Sequence, residues 1–394
     1  MTIISYENGQ LIVPPKASLV KIEGDGVGPE IWRASQPILE EAARLSGFEI
    51  VWVEALAGEA AFKATGSPLP LETLAALKRY RVGLKGPLGT PTGGGLKSLN
   101  VALRKALDLY ACVRPVKSLP GAPSPVKNAS DVDMIVFREN SEDVYAGLEW
   151  PAQSPEAKKL IKFAAEELGA EIAPGSAVGL KPMSEAASKR LIRLAIEWSL
   201  KEKRPSLTLV HKGNIMKFTE GGFRGWGYEL AAAEYPDRVV AEAIALPRPT
   251  ESRLIVKDRI ADAMFAEVLL RPAEHSAIAA PNLNGDYLSD ALAGQIGGLG
   301  LAPGANLGDG IGLFEATHGT VPARAGLNMV NPSSLLLSGA LAFDYLGWAQ
   351  AAQRVRAAIA KAIQDGLMTY DLARQAQIEP VTLSAFGEAV LARL

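Results

Sequence analysis

The sequence predicts an α/β protein organised on a largely parallel sheet. Short apolar runs alternate with longer amphipathic segments along most of the chain, the pattern of repeated strand–helix–strand units. At 394 residues the chain exceeds the comfortable size of one hydrophobic core, so two domains are expected. It contains no fixed-period repeat and no low-complexity tract.

The elements follow in chain order. Residues 17–23 (ASLVKIE) read as a strand, 29–46 as a helix and 48–54 (FEIVWVE) as a second strand. Residues 71–80 look helical, and 81–85 form a buried strand ending in a Gly-Pro turn. Further strands are expected at 133–138, 207–211 and 276–280, with helices at 185–201, 258–270 and 287–296. Pro- and Gly-rich stretches at 86–95, 120–125 and 297–312 mark loops and domain crossings. Residues 350–394 are Ala-rich and helical, interrupted at Pro380.

Composition narrows the class. The chain is 48% hydrophobic and 21% charged, ordinary for a globular enzyme, and 41 basic against 43 acidic residues leave a net charge of −2. That balance offers no basic field for phosphates, so no nucleic-acid partner is expected. A single cysteine, Cys112, permits no intrachain disulfide and no Cys-rich metal site, which fits a reducing cytoplasm. The N-terminus has no secretory pattern. The best apolar run, 335–343, is cut by Ser338 and Gly339 and followed by Asp344, so no membrane partner is expected and the location is cytoplasmic.

Two glycine loops invite comparison with nucleotide sites. Gly24, Gly26 and Gly28 lie between a strand and a helix, with Glu54 ending the next strand, but Pro29 stands where a dinucleotide fingerprint needs Gly or Ala. A structural turn is the favoured reading. Residues 89–98 (GTPTGGGLKS) resemble a phosphate loop, yet Leu96 separates the last glycine from Lys97, and the Walker spacing requires them adjacent. What remains is a flexible turn capped by Ser98, or an anion-binding helix start with the Ser98 hydroxyl facing a carboxylate.

Asp286 and Asp290, in PNLNGDYLSD, stand where a Gly-containing turn gives way to a helix. Spacing of i, i+4 puts both carboxylates on one face, about 5–6 Å apart at Cβ. Like charges that close repel unless a cation lies between them, and a hard divalent ion such as Mg²⁺ or Mn²⁺ takes oxygen ligands. In the plainer reading both face water, one of them capping the helix.

Arg104 follows Asn100 by one turn in SLNVALR, Arg114 lies in CVRPV, and Arg138 ends an apolar run. Singly such residues are most often at the surface, but a guanidinium at a strand end needs a partner. Several together suit bidentate recognition of several carboxylates. Tyr145 follows in RENSEDVYAG. Lys212, at the strand end in LVHKGN, is either a solvated loop lysine or, if buried near a metal, a proton-transfer group.

In collinear order the chain carries KGPLGTPTGGG, KSLNVALRKALDLYACVRPV, SPVKN, FRENSEDVYAGLEW, LVHKGNIMKFTEG, LLRPAEH, NLNGDYLSDALA and FEATHGT. These segments resemble the metal-dependent β-decarboxylating dehydrogenases, the isocitrate/isopropylmalate dehydrogenase family, and most of all its bacterial-type isocitrate dehydrogenases. The resemblance implies an isocitrate/isopropylmalate dehydrogenase-like α/β fold that is not Rossmann. A large α/β domain is expected from 1–110 and 297–394, and a small one from 111–142 and 182–296. A clasp at 143–181 interlocks two subunits; within it 156–168 looks helical and 171–180 could be a strand.

The resemblance also implies roles. Asp286 and Asp290 bind Mg²⁺ or Mn²⁺, joined by the partner subunit's Asp262. Arg104, Arg114 and Arg138 hold substrate carboxylates, with Ser98 and Asn100 at the γ-carboxylate. Tyr145 and the partner subunit's Lys212 transfer protons, which makes a homodimer obligatory. The implied reaction is oxidative decarboxylation of isocitrate to 2-oxoglutarate and CO₂ with reduction of NADP⁺. Isopropylmalate enzymes carry apolar residues at the Ser98–Asn100 segment; a hydroxyl and an amide there favour a carboxylate. The same reaction with NAD⁺, or a sibling activity on isopropylmalate, homoisocitrate or tartrate, is the alternative. A regulatory kinase acting on Ser98 would block substrate by charge.

The implied cofactor residues are Thr90, Glu315, His318, Gly319, Thr320, Arg324, Asn331, Tyr370 and Arg374, with the partner subunit's Arg271. NADP-dependent relatives usually have Lys-Tyr at the positions of Ala323 and Arg324, and NAD-dependent ones an Asp followed by an apolar residue; this chain has neither. Arg324, Arg374 and Arg271, with no acidic residue where a free ribose hydroxyl would bind, favour NADP.

Overall fold

The computed structural model describes residues 2–89, 98–244 and 253–394. A small antiparallel hairpin, β1 (Ser5–Glu7) and β2 (Gln10–Ile12), precedes the main sheet. There follow β3 (Lys16–Ile22), α1 (Gly28–Arg44), β4 (Glu49–Glu54), α2 (Glu59–Thr65), α3 (Leu71–Tyr80), β5 (Val82–Lys85), α4 (Leu99–Ala106), β6 (Ala111–Lys117) and β7 (Asp133–Glu139). The middle of the chain holds β8 (Glu149–Trp150), α5 (Pro155–Leu168), β9 (Val178–Gly179), α6 (Glu185–Lys201), β10 (Ser206–His211) and α7 (Glu220–Glu234). It continues through β11 (Val239–Ala241), β12 (Leu254–Ile260), α8 (Ala261–Leu270), β13 (Ala277–Ala280) and α9 (Asn282–Gln295). The last elements are β14 (Pro303–Gly308), β15 (Ile311–Ala316), α10 (Ser333–Tyr345), α11 (Ala349–Gln364), α12 (Tyr370–Ala376) and α13 (Leu383–Leu391).

One eleven-stranded sheet runs in the order β11-β12-β10-β13-β7-β6-β14-β15-β5-β3-β4. Its flanks are parallel, but the central ladders β7–β6, β6–β14 and β14–β15 are antiparallel, so the two flanks run in opposite directions. Strands from 1–110 and 297–394 occupy one side of the order and those from 111–296 the other, meeting where β6 pairs with β14. β6 carries Pro115 inside the sheet without losing a ladder bond to β14, because β14 reaches only Ala111, Cys112 and Val113. Helices cover both flanks. α10 is buried from Ser333 to Phe343 against β14 and β15, α9 lies on β7, and α7 lies on β10.

Several expectations need correction. Residues 258–260 belong to β12 rather than to a helix, since they pair with Leu209–His211 of β10, and α8 starts at Ala261. The acid-bearing helix starts at Asn282, five residues earlier than its period indicated, so Gly285 is helical rather than a turn. Part of the Gly-rich 297–312 stretch is strand, and the strand expected at 171–180 shrinks to Val178–Gly179, paired with β8. Among the described residues no helix is long and apolar enough to cross a membrane.

Candidate active site

The acid pair and the arginines meet because α9 lies directly on β7. Gly285 permits that approach: a Cβ there would stand 2.7 Å from both Cβ and Cγ of Arg138. Arg138, 2% exposed, donates from Nε to Asn282 Oδ1 at 2.9 Å, and its Nη1 pairs with Asp286 Oδ1. Tyr145 donates its hydroxyl to the other Asp286 oxygen, with the Arg138 guanidinium 4.8 Å from its ring centroid. Arg114, on β6, donates to Asp290 Oδ1 at 2.8 Å and to Ser289 Oγ at 3.2 Å. Each of the two like charges thus has its own guanidinium, which relieves their crowding. Burial and the Asp286 hydrogen bond push the Tyr145 phenol up to about 12, so it keeps its proton at neutral pH.

The next layer comes from α4. Ser98 occupies its N-cap position without a side-chain capping bond, so the capped-turn reading fails. Residues 90–97, with Thr90, lie outside the described residues. Asn100 Oδ1, Arg104 Nε and Arg114 Nε are buried without a hydrogen-bond partner among the described residues. Buried polar atoms rarely stay bare, and guanidinium N–H groups are matched by carboxylate oxygens. Glu315, which the resemblance assigns to the cofactor, is anchored within the chain: its carboxylate pairs with Lys85 Nζ at 2.6 Å, accepts from Asn306 Nδ2 at 2.8 Å and lies 3.4 Å from Arg104 Nη2. Burial alone would raise this carboxyl; Lys85 and Arg104 hold it well below the usual range. Lys85, like Lys212, is a lysine ending an apolar strand, a signal legible in KGPLG but not used.

Lys212 and Asp262 stand apart from this cluster. Lys212 Nζ pairs with Asp262 Oδ1, and that bond lowers the Asp262 carboxyl. No hydrogen bond or ion pair joins either of them to Arg138, Tyr145 or Asp286 among the described residues. Nor do Asp262, Asp286 and Asp290 of one chain gather their oxygens as a trio. Among the described residues the only such trio is Glu267, Glu274 and His275, already paired with Arg259 and Arg271. Beneath Lys212, His211 accepts from Gly213 N at 3.0 Å and bonds Asp258 at 3.0 Å, and Tyr228 donates to the same aspartate at 2.7 Å. The His211 and Tyr228 bonds hold the Asp258 carboxyl down at about 2 against the effect of burial.

On the far side lies a cavity of about 210 Å³ whose lining includes Val27, His318, Val321, Asn331, Tyr370 and Asp371. Arg324 stacks over the Tyr370 ring at 3.9 Å, and Arg374 follows on the exposed side of α12 one turn later. His318 Nε2 is buried without a partner among the described residues. Asp371 was missed by sequence reasoning, which saw no acid here; its carboxylate accepts from Asn331 Nδ2 at 3.1 Å and from Thr369 Oγ1 at 2.6 Å. The glycine loop at 24–28 is a buttress for Gly319 and Thr320. Gly26 has φ +57°, a Cβ on it would lie 2.1 Å from Thr320 O, and Val27 N donates to that oxygen at 3.0 Å. Glu54 is held by Lys21 at 3.0 Å, so the fingerprint reading fails. Arg271 pairs with Glu267 and Glu274, remote in sequence from this cavity's lining.

The family model for isocitrate/isopropylmalate dehydrogenase matches residues 18–390. Isocitrate dehydrogenase [NADP] of Archaeoglobus fulgidus is 51% identical over 395 residues, covering 99% of this chain and 96% of that protein. Isocitrate dehydrogenase [NADP] of Staphylococcus aureus (strain Mu50) is 47% identical over 409 residues, covering 98% and 97%. The crystal structure of isocitrate dehydrogenase from Methylococcus capsulatus superposes with a TM-score of 0.80 at 37% identity, over 95% of this chain and 98% of that one.

Proposed function

The chain belongs to the isocitrate/isopropylmalate dehydrogenase family, and from that premise we propose that it oxidatively decarboxylates isocitrate to 2-oxoglutarate and CO₂ with NADP⁺ and a divalent metal. The observation that carries this reading is the set of buried atoms on Asn100, Arg104 and Arg114 that have no partner among the described residues, beside an acid pair on one helical face. Three guanidinium groups and an amide match a tricarboxylic acid, and two aspartates offer the hard oxygen donors that Mg²⁺ or Mn²⁺ takes. When bound, the cation supplies Lewis acidity at the substrate oxygens and the nicotinamide accepts the hydride. Arg104, Arg114 and Arg138 orient the carboxylates, with Ser98 and Asn100 at the γ-carboxylate. The partner subunit's Lys212 takes the hydroxyl proton. Tyr145, protonated at neutral pH, donates a proton to carbon after CO₂ leaves.

The separation of Lys212 and Asp262 from the Tyr145–Asp286 cluster supports a homodimer with shared sites. So do exposed apolar side chains on and beyond the 143–181 segment, among them Phe163, Leu168, Phe218, Leu270 and Tyr287. For the cofactor, the buried His318 Nε2, without a partner among the described residues, and the Arg324–Tyr370 stack fit a nucleotide with a phosphate on its ribose, and the names of the relatives point the same way. A cytoplasmic location and kinase control at Ser98 complete the reading. Initial rates with isocitrate and Mn²⁺ should be higher with NADP⁺ than with NAD⁺, vanish with EDTA, and lose that preference in Arg324→Ala. Turnover of isopropylmalate but not isocitrate would replace this activity with a sibling one. Unchanged preference in the variant would take Arg324 out of the cofactor site.

A further inference from the structure

Two buried acids outside the reacting cluster share one lysine. Asp143 is 1% exposed and Glu220 wholly buried, and Lys181 Nζ lies 2.5 Å from Asp143 Oδ1 and 2.9 Å from Glu220 Oε1. The remaining capacity of each acid goes to the site. Asp143 accepts from Leu283 N at 3.0 Å, in the first turn of α9, and from Val144 N at 2.7 Å, one residue before Tyr145. Glu220 accepts from Lys212 N and from Asn284 Nδ2 at 2.8 Å, two residues before Asp286. Asp143 also has φ +71°, a left-handed conformation that is strained for a non-glycine residue. It is held there by its side-chain bonds and by its N–H, which donates to Pro182 O at 2.9 Å, next to Lys181. Removing the cation would leave two carboxylates in a buried space with nothing positive between them.

We propose, on the shared-site reading above, that Asp143, Lys181 and Glu220 form a positioning strut tying the elements that serve a chain's own site to those it lends its partner. The first set is Tyr145 and α9 with Asp286 and Asp290. The second is Lys212, held at its backbone by Glu220, and Asp262, held by the Lys212 ammonium. None of the three touches the reacting atoms. Because the strut spans both sets, a lesion in one chain reaches both sites of the dimer.

The test is a co-expressed hybrid dimer of one parent chain and one Glu220→Gln chain, isolated through two different tags. The Glu220→Gln homodimer should lose about 10- to 100-fold in kcat, the scale of a reacting group displaced by an ångström, with isocitrate KM within about threefold. The hybrid should then retain well under half of parental activity, since each of its sites contains one displaced group. A hybrid at half activity would overturn the proposal, as would a homodimer with unchanged kcat and only a lower melting temperature. Lys181→Met is the harsher lesion, and Lys181→Arg, which keeps the cation, should recover kcat to within about threefold of the parent. If the parent does not turn over isocitrate, the functional reading fails while the strut is still tested by amide hydrogen exchange. Glu220→Gln should speed exchange together in peptides covering 141–148, 210–216 and 281–289; a change in only one of them, or in none, refutes it.

Discussion

Replacing Glu315 by Gln probes the ion cluster behind the substrate arginines. At 2.6 Å and an effective dielectric of about 20, its attraction to Lys85 is about 6 kcal/mol before desolvation is counted. The cost of losing it is set by what stays behind, an ammonium on a side chain only 2% exposed. Removing one partner of a buried pair costs about 3–5 kcal/mol. With an unfolding entropy of about 0.8 kcal/mol/K for a chain of this length, the melting temperature should fall by roughly 4–6 °C. Differential scanning calorimetry measures it, and adding Lys85→Met should recover most of the loss, because the more deeply buried and closer of the two cations is then removed and only Arg104, 3.4 Å away and less buried, is left without Glu315. The pH dependence has a definite sign. Glu315 is depressed below its ordinary value of 4.5, so its stabilisation is present above that pH and lost as pH falls further. Parent and variant should therefore converge in acid. A loss under about 1 kcal/mol, or a double variant no more stable than Glu315→Gln alone, would refute the reasoning.

Tyr145→Phe should lower kcat by about 10²- to 10⁴-fold, the usual contribution of a general acid, while isocitrate affinity measured by titration calorimetry changes little; equal losses in both would make Tyr145 a binding group. Asp258→Asn should cost on the order of 1–2 kcal/mol at pH 7, seen in urea unfolding. Because Asp258 is depressed from 3.8 to about 2, the difference between parent and variant should close as pH falls through that window.

Helix α6 is legible to the residue, since its apolar stripe is regular and Ser184 caps it by accepting from Ala187 N. α3 is equally plain. α7 is not, because Gly221, Gly222, Gly225 and Gly227 break its pattern; Gly227 is small since Leu209 presses on that turn, a fact about packing rather than propensity. β6 hides behind Arg114 and Pro115, which look like loop residues until their partners across the sheet are seen. Gly285 misled for the same reason: it reads as a turn, yet it is the point where α9 touches Arg138.

The site divides along the same line. Arginines, tyrosine and lysine in family-like segments, and an acid pair at helical spacing, are written in the chain, because chemistry and a 3.6-residue period are local properties. Which guanidinium meets which aspartate is not local. Arg138 and Asp286 are 148 positions apart and meet only because β13 aligns beside β7 and lays α9 across it. The same sheet order sets Glu315 against Lys85, and leaves Lys212 with Asp262 rather than with Tyr145 of the same chain. Residue identity decided what reactions this protein has groups for. Strand order and close backbone approach decided which of those groups stand within a hydrogen bond of one another, since charge and hydrogen-bond energies are set by distance and burial rather than by position along the chain.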